Sequence, residues 1–263
     1  MNADAIGAIA AAGAPGVRIE VVAQTGSTNA DLLARVDGLE HNVLLVAERQ
    51  SAGRGRAGRR WLSSEGGSLT FSLAWHFDGA LATLAGLPLA VGVALAESLA
   101  SLAVKVELKG PNDLLKDGAK LAGVLIETQA GSTGGTWAVI GVGLNLALPD
   151  ALEAQIERPV ANAPWLANME RDALVATLLV HLDVSLRQFA QGGFAAFSGR
   201  WNHLHAYQGQ AVTIIDRGVT LHEGVAAGVD GRGALLLDTA GGRVTIVAGD
   251  VSLRPAHATG SAP

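Results

Sequence analysis

The sequence predicts an α+β protein: a mixed, mostly antiparallel sheet with helices, followed by a small C-terminal β-barrel. Three observations lead there. Period-two apolar runs recur as hairpins between helical stretches, the order of an α+β sheet and not of a doubly wound one. Two stretches, one from near Pro88 to Ala103 and one from Arg171 to Phe189, place apolar residues at helical spacing. From Gly209 onward about five short β runs are divided by Asp-Arg-Gly, Asp-Gly-Arg-Gly and Ala-Gly-Gly turns, the pattern of a small barrel. Residues 1–206 are therefore expected to form the main domain, 207–255 the barrel and 256–263 a disordered tail.

The bulk numbers bound the function. At 263 residues with 49% hydrophobic and 16% charged content, the chain can bury a proper core and is not a mostly disordered protein. It has no cysteine, which excludes disulfides, zinc ribbons and a thiol nucleophile and fits a reducing, cytoplasmic setting. The N-terminal stretch carries Asp4 and no basic segment, so it is not read as a secretion signal. Residues 79–96 lack charge, yet Pro88 interrupts them and Ala and Gly dominate; this predicts a buried helix starting near Pro88, not a membrane span.

In chain order, Val17 to Val22 alternates like a strand and leads into Ser27 and Thr28, good caps for a helix carrying Leu32, Leu33 and Val36. Strands are expected at 43–48 and 68–75, on either side of an arginine-rich loop, and again at Val104 to Leu108. Pro111-Asn112-Asp113 is a turn, and Lys116-Asp117-Gly118 turns the chain into a hairpin with Leu121 to Thr128. Residues 136–147 give another strand, in which Gly141 and Gly143 mark close backbone approach or a bulge. The long helix repeats Leu174, Leu178, Leu182 and Val184, and a second helical stretch covers Phe194 to His203.

The loop at 50–61, QSAGRGRAGRRW, holds Arg54, Arg56, Arg59 and Arg60 in a chain of net charge −5, which makes it a local basic site for a local anion. Gly53, Gly55 and Gly58 satisfy G-x-G-x-x-G, but that fingerprint requires a helix opening at its end. Here Trp61 is followed by the strand alternation of Leu69, Phe71, Leu73 and Trp75, so the arginines read as guanidinium forks closing on phosphate oxygens.

Four blocks in this order and spacing, Ser27-Thr28-Asn29, the loop at 50–61, Pro-Asn-Asp with KLAGVLIE at 111–127, and GVGLNL at 141–146, resemble the biotin protein ligases. The resemblance covers most of the chain. It implies a class II synthetase-like catalytic domain with an SH3-like C-terminal barrel. The implied reaction joins biotin and ATP into biotinyl-5′-adenylate, then passes the biotinyl group to a lysine of a biotin carboxyl carrier protein. The implied biotin site is Ser27, Thr28, Asn29, Gln50, Gly53, Arg54, Gly55, Arg56, Lys120 and Gly123; the implied ATP and adenylate site is Arg54, Arg56, Trp61, Asn112, Lys120 and Asn145. Arg54 and Lys120 match the positions that bridge carboxylate and phosphate, where repulsion between anions is the obstacle. Asp113 is the candidate general base for transfer, because a free lysine is only about 0.1% neutral near neutral pH. ATP implies Mg²⁺ held mainly by phosphate oxygens, with Asn112 and Asp113 nearby and no dedicated protein metal site. The seven histidines show no metal-ligand spacing.

One position departs from the family pattern, which has tryptophan before Pro-Asn-Asp where this chain has Gly110. The expectation is a loosened turn with weaker biotin or ATP binding. Fewer than thirty residues precede the Ser-Thr-Asn block, so no winged helix-turn-helix and no DNA partner is expected. An edge strand near the site is expected to dock the carrier protein or to pair two copies into a homodimer. Two rival readings stand beside this one: a lipoate-type ligase on the same fold, and a single-stranded nucleic-acid module, which the 4% aromatic content and acidic balance disfavour.

Overall fold

The structure, a computed structural model, describes residues 1–156, 159–216, 219–247 and 252–255. The expected tail at 256–263 lies outside them.

The main sheet has seven strands: β1 (Val17–Thr25), β2 (Asn42–Gln50), β3 (Ser68–Phe77), β4 (Glu107–Lys109), β5 (Asp113–Lys116), β6 (Ala119–Ala130) and β7 (Thr136–Asn145). Their spatial order is β1-β2-β3-β7-β6-β5-β4; β1 and β2 run parallel and every other pair is antiparallel. The mixed sheet is thus as expected. Among the described residues seven α-helices accompany it: α1 (Ala3–Ala10), α2 (Thr28–Leu33), α3 (Leu87–Ser101), α4 (Asp150–Glu153), α5 (Pro164–Ala167), α6 (Arg171–Gly192) and α7 (Ser198–Leu204).

The two faces of the sheet are filled differently because side chains alternate along each strand. Leu44 and Val46, Phe71 and Leu73, and Ile140 and Val142 point into the main core, which α1, α3 and α6 cover. The opposite face has a smaller cluster in which Leu32 and Val36 lie on Val43, Leu45, Ala74 and Val139. Farther along, that second face changes to Ser72, Gly141, Gly143 and Gly123, and the layer over it opens.

Helix α3 is the helix expected near Pro88. It begins after Gly86, whose φ of 81° suits glycine, and it is buried on nearly every side between the sheet and α6. Helix α6 runs three residues beyond its expected end. It is long and apolar enough to cross a membrane by length and composition, but more than half of it is buried within the fold. Its buried face uses Leu174, Leu178, Leu182, Leu186 and Phe189, whereas Val184 is 58% exposed. Val184 lies two residues from Leu182, nearly opposite on a helix, so the expected repeat fails there. The strand expected at Val104 to Leu108 is also shifted: only Glu107–Lys109 pairs, with β5. The hairpin turn at Asp117-Gly118 forms as read, both residues adopting positive φ (53° and 77°), the conformation that tight two-residue turns require.

After α7 the chain makes β8 (Ala211–Asp216), β9 (Val219–Val229), β10 (Leu235–Thr239), β11 (Gly242–Ile246) and β12 (Ser252–Pro255), one antiparallel sheet ordered β11-β10-β9-β8-β12. Val212, Ile214, Ala226, Leu237, Ile246 and Leu253 form its core. Asn202 of α7 staples the two units, its side chain accepting from Val229 N–H (2.8 Å) and donating to Val229 C=O (3.2 Å).

Candidate active site

The cleft sits on the open part of the second sheet face. Because β1 and β2 are parallel and in register from Val17↔Asn42 to Thr25↔Gln50, both end at the same edge. The segments that follow, Ser27-Thr28-Asn29 and the arginine loop, therefore meet.

Ser27 caps α2 by accepting from Ala30 N–H, which meets the capping expectation. Thr28 and Asn29 instead turn inward and are almost fully buried. Gln50 Oε1 accepts Thr28 N–H at 2.8 Å, satisfying a backbone donor that a helix start leaves over. Thr28 Oγ1 lies 2.7 Å from Ser72 Oγ, and Ser72 Oγ donates to Asn29 Oδ1 at 2.5 Å. One hydroxyl has one proton, so Thr28 is the donor in the first contact. Asn29 Nδ2 donates to Glu127 Oε2 (2.9 Å), and Arg54 Nη2 donates to Glu127 Oε1 (2.5 Å). A continuous polar chain thus runs from Gln50 through Thr28, Ser72 and Asn29 to Glu127 and Arg54.

The glycines of β6 and β7 are close-approach positions and not bulges, since the register across them is unbroken. A Cβ on Gly141 would lie 2.2 Å from Asn29 Oδ1, and one on Gly143 would lie 2.2 Å from Trp61 Cε2. Gly123, directly paired with Gly143, has Lys120 Nζ at 2.8 Å from its Cβ direction. These glycines let Asn29, Trp61 and Lys120 lie directly on the strand backbones.

The arginine loop is a small hairpin. Arg54 bridges Arg60, Gly55 N–H donates to Arg59 C=O (2.7 Å), and Trp61 N–H donates to Gly53 C=O (2.9 Å). Only glycine fits at 53, where a Cβ would meet Trp61 O at 2.5 Å. No helix opens after Gly58, so the dinucleotide fingerprint is excluded by the fold itself.

Opposite the loop, Lys120 Nζ donates to the Asp113 carboxylate across the β5–β6 hairpin and lies 5.6 Å from the centre of the Trp61 ring. Asn112 is fixed at both ends: Nδ2 donates to Val124 C=O (3.0 Å) and its own C=O accepts Val124 N–H (2.9 Å). Its Oδ1 accepts Arg56 Nη1 at 3.2 Å. Trp61 Nε1 is buried without a hydrogen-bond partner among the described residues.

The result is a cleft of about 650 Å³, open solvent at its mouth included. Arg54, Arg56, Arg59, Arg60 and Lys120 line it, and of the described lining residues only Asp113 is acidic. Five cations facing one carboxylate is a field for a polyanion, with the small polar and glycine floor beside it for a neutral head group.

Most of the residues singled out in the sequence meet here. Two do not line the cleft. Gly53 shapes the hairpin from behind, and Asn145 is buried with Nδ2 donating to the Lys120 carbonyl (3.2 Å), so it touches Lys120 and not the cavity. Sequence reasoning missed Ser72 and Glu127. The signals were present: Thr70 and Ser72 are the polar alternates of an otherwise apolar strand, and Glu127 closes the apolar KLAGVLI run. At Gly110 a Cβ would meet the Trp201 ring at 3.4 Å, an ordinary contact distance. Trp201, only 1% exposed, packs beside this turn.

Comparison with known proteins gives concordant matches. Residues 20–145 match the Biotin/lipoate A/B protein ligase family, and residues 207–254 match the Biotin protein ligase C terminal domain. The chain is 36% identical over 249 residues to the Bifunctional ligase/repressor BirA of Escherichia coli, covering 92% of this chain and 76% of that protein. It is 35% identical to the Biotin--[acetyl-CoA-carboxylase] ligase of Mycobacterium tuberculosis, covering 89% and 88%. Among solved structures, the biotin protein ligase from Aquifex aeolicus in complex with biotin and ATP superposes with a TM-score of 0.75 at 26% identity, covering 90% of this chain and 99% of that one.

Proposed function

Since the chain belongs to the biotin/lipoate A/B protein ligase family, we propose that its cleft activates biotin with ATP and transfers the biotinyl group to a lysine of a biotin carboxyl carrier protein. The observation that carries this reading is that the four sequence blocks meet at one cleft, with four arginines on the loop side, Lys120 opposite them and a small polar floor between. We assign residues 1–206 to this chemistry and 207–255 to an accessory C-terminal domain.

In the first step an oxygen of the biotin carboxylate bonds to the α-phosphorus of ATP, the bond from that phosphorus to the bridging oxygen breaks, and pyrophosphate leaves. Two anions must approach, so the catalytic work is electrostatic. Lys120 is held at the floor by Asp113, and Arg54 reaches the same cleft from the loop. Arg54 exchanges Glu127 for the substrate anions as it engages. Arg56, tied to Asn112, closes over the adenylate, and Trp61 supplies the flat apolar surface beside it. Ser27, Thr28, Asn29 and Gln50, with Ser72, form the polar end that takes the ureido ring. Asn145 acts through Lys120, fixing its backbone.

The cleft suits a magnesium ion carried by the nucleotide. Its one lining carboxylate, Asp113, is bonded to Lys120, so the protein offers few oxygen ligands and phosphate oxygens provide the rest. Asn112 and Asp113 would hold it from the protein side, and the ion neutralises phosphate charge when bound. In the second step the amine of the carrier lysine attacks the acyl carbon, the bond to AMP breaks, and Asp113 takes the proton. The carrier approaches along the outer edge of β1, which pairs with no other strand among the described residues. A second copy of the chain is the competing occupant of that edge, and light scattering with and without carrier separates the two.

The deciding experiment is ATP–pyrophosphate exchange with biotin and with lipoate side by side. Exchange with biotin is expected; exchange with lipoate alone overturns the reading.

A further inference from the structure

Behind the active-site cleft lies a second cavity, where the C-terminal sheet meets α3 and α7. Its walls are apolar: Leu89, Trp201, Ile214, Ile246 and Leu253 face one another, and the Gly110–Pro111 backbone closes one side. His205 lines it as well. The residue is only 5% exposed. Nδ1 lies 3.3 Å from Gln208 Oε1, an oxygen that can only accept, so Nδ1 carries the proton and Nε2 carries the lone pair. Nε2 has no hydrogen-bond partner among the described residues. The ring cannot turn away easily, because Trp201 stacks on it with centroids 4.6 Å apart.

A buried acceptor left without a donor costs about 1–3 kcal/mol. Water is a poor answer here. A buried water is held by roughly two to four polar partners, and this lining is largely apolar, the His205 ring and the Trp201 indole N–H being its polar side-chain groups among the described residues. The walls instead suit a flat apolar body, and the acceptor suits one donor on its rim. Burial lowers the pKa of His205 and so favours the neutral ring, which leaves no charge here to attract an anion.

We propose that this cavity is a binding site for a small, neutral, single-ring aromatic compound bearing one hydroxyl or ring N–H, which donates to His205 Nε2 and lies against Trp201 and Pro111. The site shares a loop with the active-site cleft. Gly110 and Pro111 line the cavity, while Asn112 and Asp113, the next two residues, line the cleft. An occupant therefore touches the back of the segment that holds Arg56 and Lys120.

The test uses the full chain titrated calorimetrically with phenol and with fluorobenzene, which match in size but differ in the donor. Phenol is expected to bind about tenfold more tightly, the equivalent of ~1.4 kcal/mol. In His205→Phe the two compounds should bind equally, with fluorobenzene affinity within about twofold of the parent. Failure of both compounds to bind the parent chain, or persistence of the phenol preference in His205→Phe, overturns the proposal. Should that variant not fold, Ile246→Trp blocks the cavity from the sheet side and is expected to abolish binding of both compounds. Unchanged binding there also overturns it. Because the readout is binding alone, the outcome is independent of the ligase reading.

Discussion

Arg54 Nη2 and Glu127 Oε1 lie 2.5 Å apart, and the other oxygen of the same carboxylate accepts from Asn29. Glu127 thus holds the arginine that we propose engages the substrate anions. The Arg54 side chain is 47% exposed, so the pair is worth at most about 1 kcal/mol. Glu127→Gln removes the charge but keeps an acceptor for Asn29. The expected result is a KM for ATP lowered about two- to fivefold, with kcat within about twofold, measured by pyrophosphate exchange. A raised KM would mean that Glu127 presents Arg54 productively instead of competing for it.

Lys120→Met should reduce exchange by roughly 10²- to 10³-fold, the usual loss of one transition-state charge contact. Asp113→Asn separates the two steps. It should slow transfer to the carrier more than it slows exchange, as read by single-turnover labelling from preformed adenylate. Equal losses in both steps would assign Asp113 to holding Lys120 and not to taking the proton.

Arg56 is tied to Asn112 across the mouth of the cleft. Arg56→Gly is expected to preserve adenylate synthesis while releasing adenylate into solution, so that labelling of bystander lysines rises. Persisting synthesis without that rise would remove the retention role.

At Gly110 the Cβ direction meets Trp201 at ordinary contact distance, so Gly110→Ala should be close to neutral. Gly110→Trp places an indole, larger than the single ring proposed for the adjoining cavity, against Trp201 and should cost about 1–3 kcal/mol in chemical denaturation. It should raise the KM for ATP by displacing Asn112. A stabilised, tighter-binding Gly110→Trp would restore the expectation that glycine loosens this turn.

His205 gives a pH signature. Burial holds its pKa below the ordinary 6.5, so the unfolded chain binds the proton at a pH where the native site does not. Its contribution is complete above ~6.5 and is lost as pH falls towards the native value, at up to about 1.4 kcal/mol per pH unit. Urea melts from pH 7 to 5 should show the parent losing more stability than His205→Phe. Parallel slopes would refute the assignment.

Much of this site was readable beforehand because its signals are local. Glycines that admit no side chain, a cap at a helix start and a cluster of arginines in an acidic chain all announce themselves within a few residues. Ser72 and Glu127 do not, since their partners Thr28, Asn29 and Arg54 are 44, 98 and 73 residues away and become neighbours only through strand register. The same holds for Gly110, whose neighbour Trp201 comes from a helix at the far end of the domain. Val184 misled for a different reason: an apolar residue near a periodic series was counted into it although its angular position on the helix is wrong. Asn145 is placed in the adenylate site by the family resemblance alone, and in the fold its amide is turned to the Lys120 backbone.

The parallel pairing of β1 and β2 has a consequence for how this chain tolerates change. Both strands deliver their loops to one edge because they are in register over their whole length, Val17↔Asn42 through Thr25↔Gln50. A single residue deleted from β1 would draw Ser27, Thr28 and Asn29 back by one strand step, about 3.3 Å, and turn their strand partners to the other face. The arginine loop would stay where it is. The two halves of the cleft are thus synchronised by a ruler of nine residues.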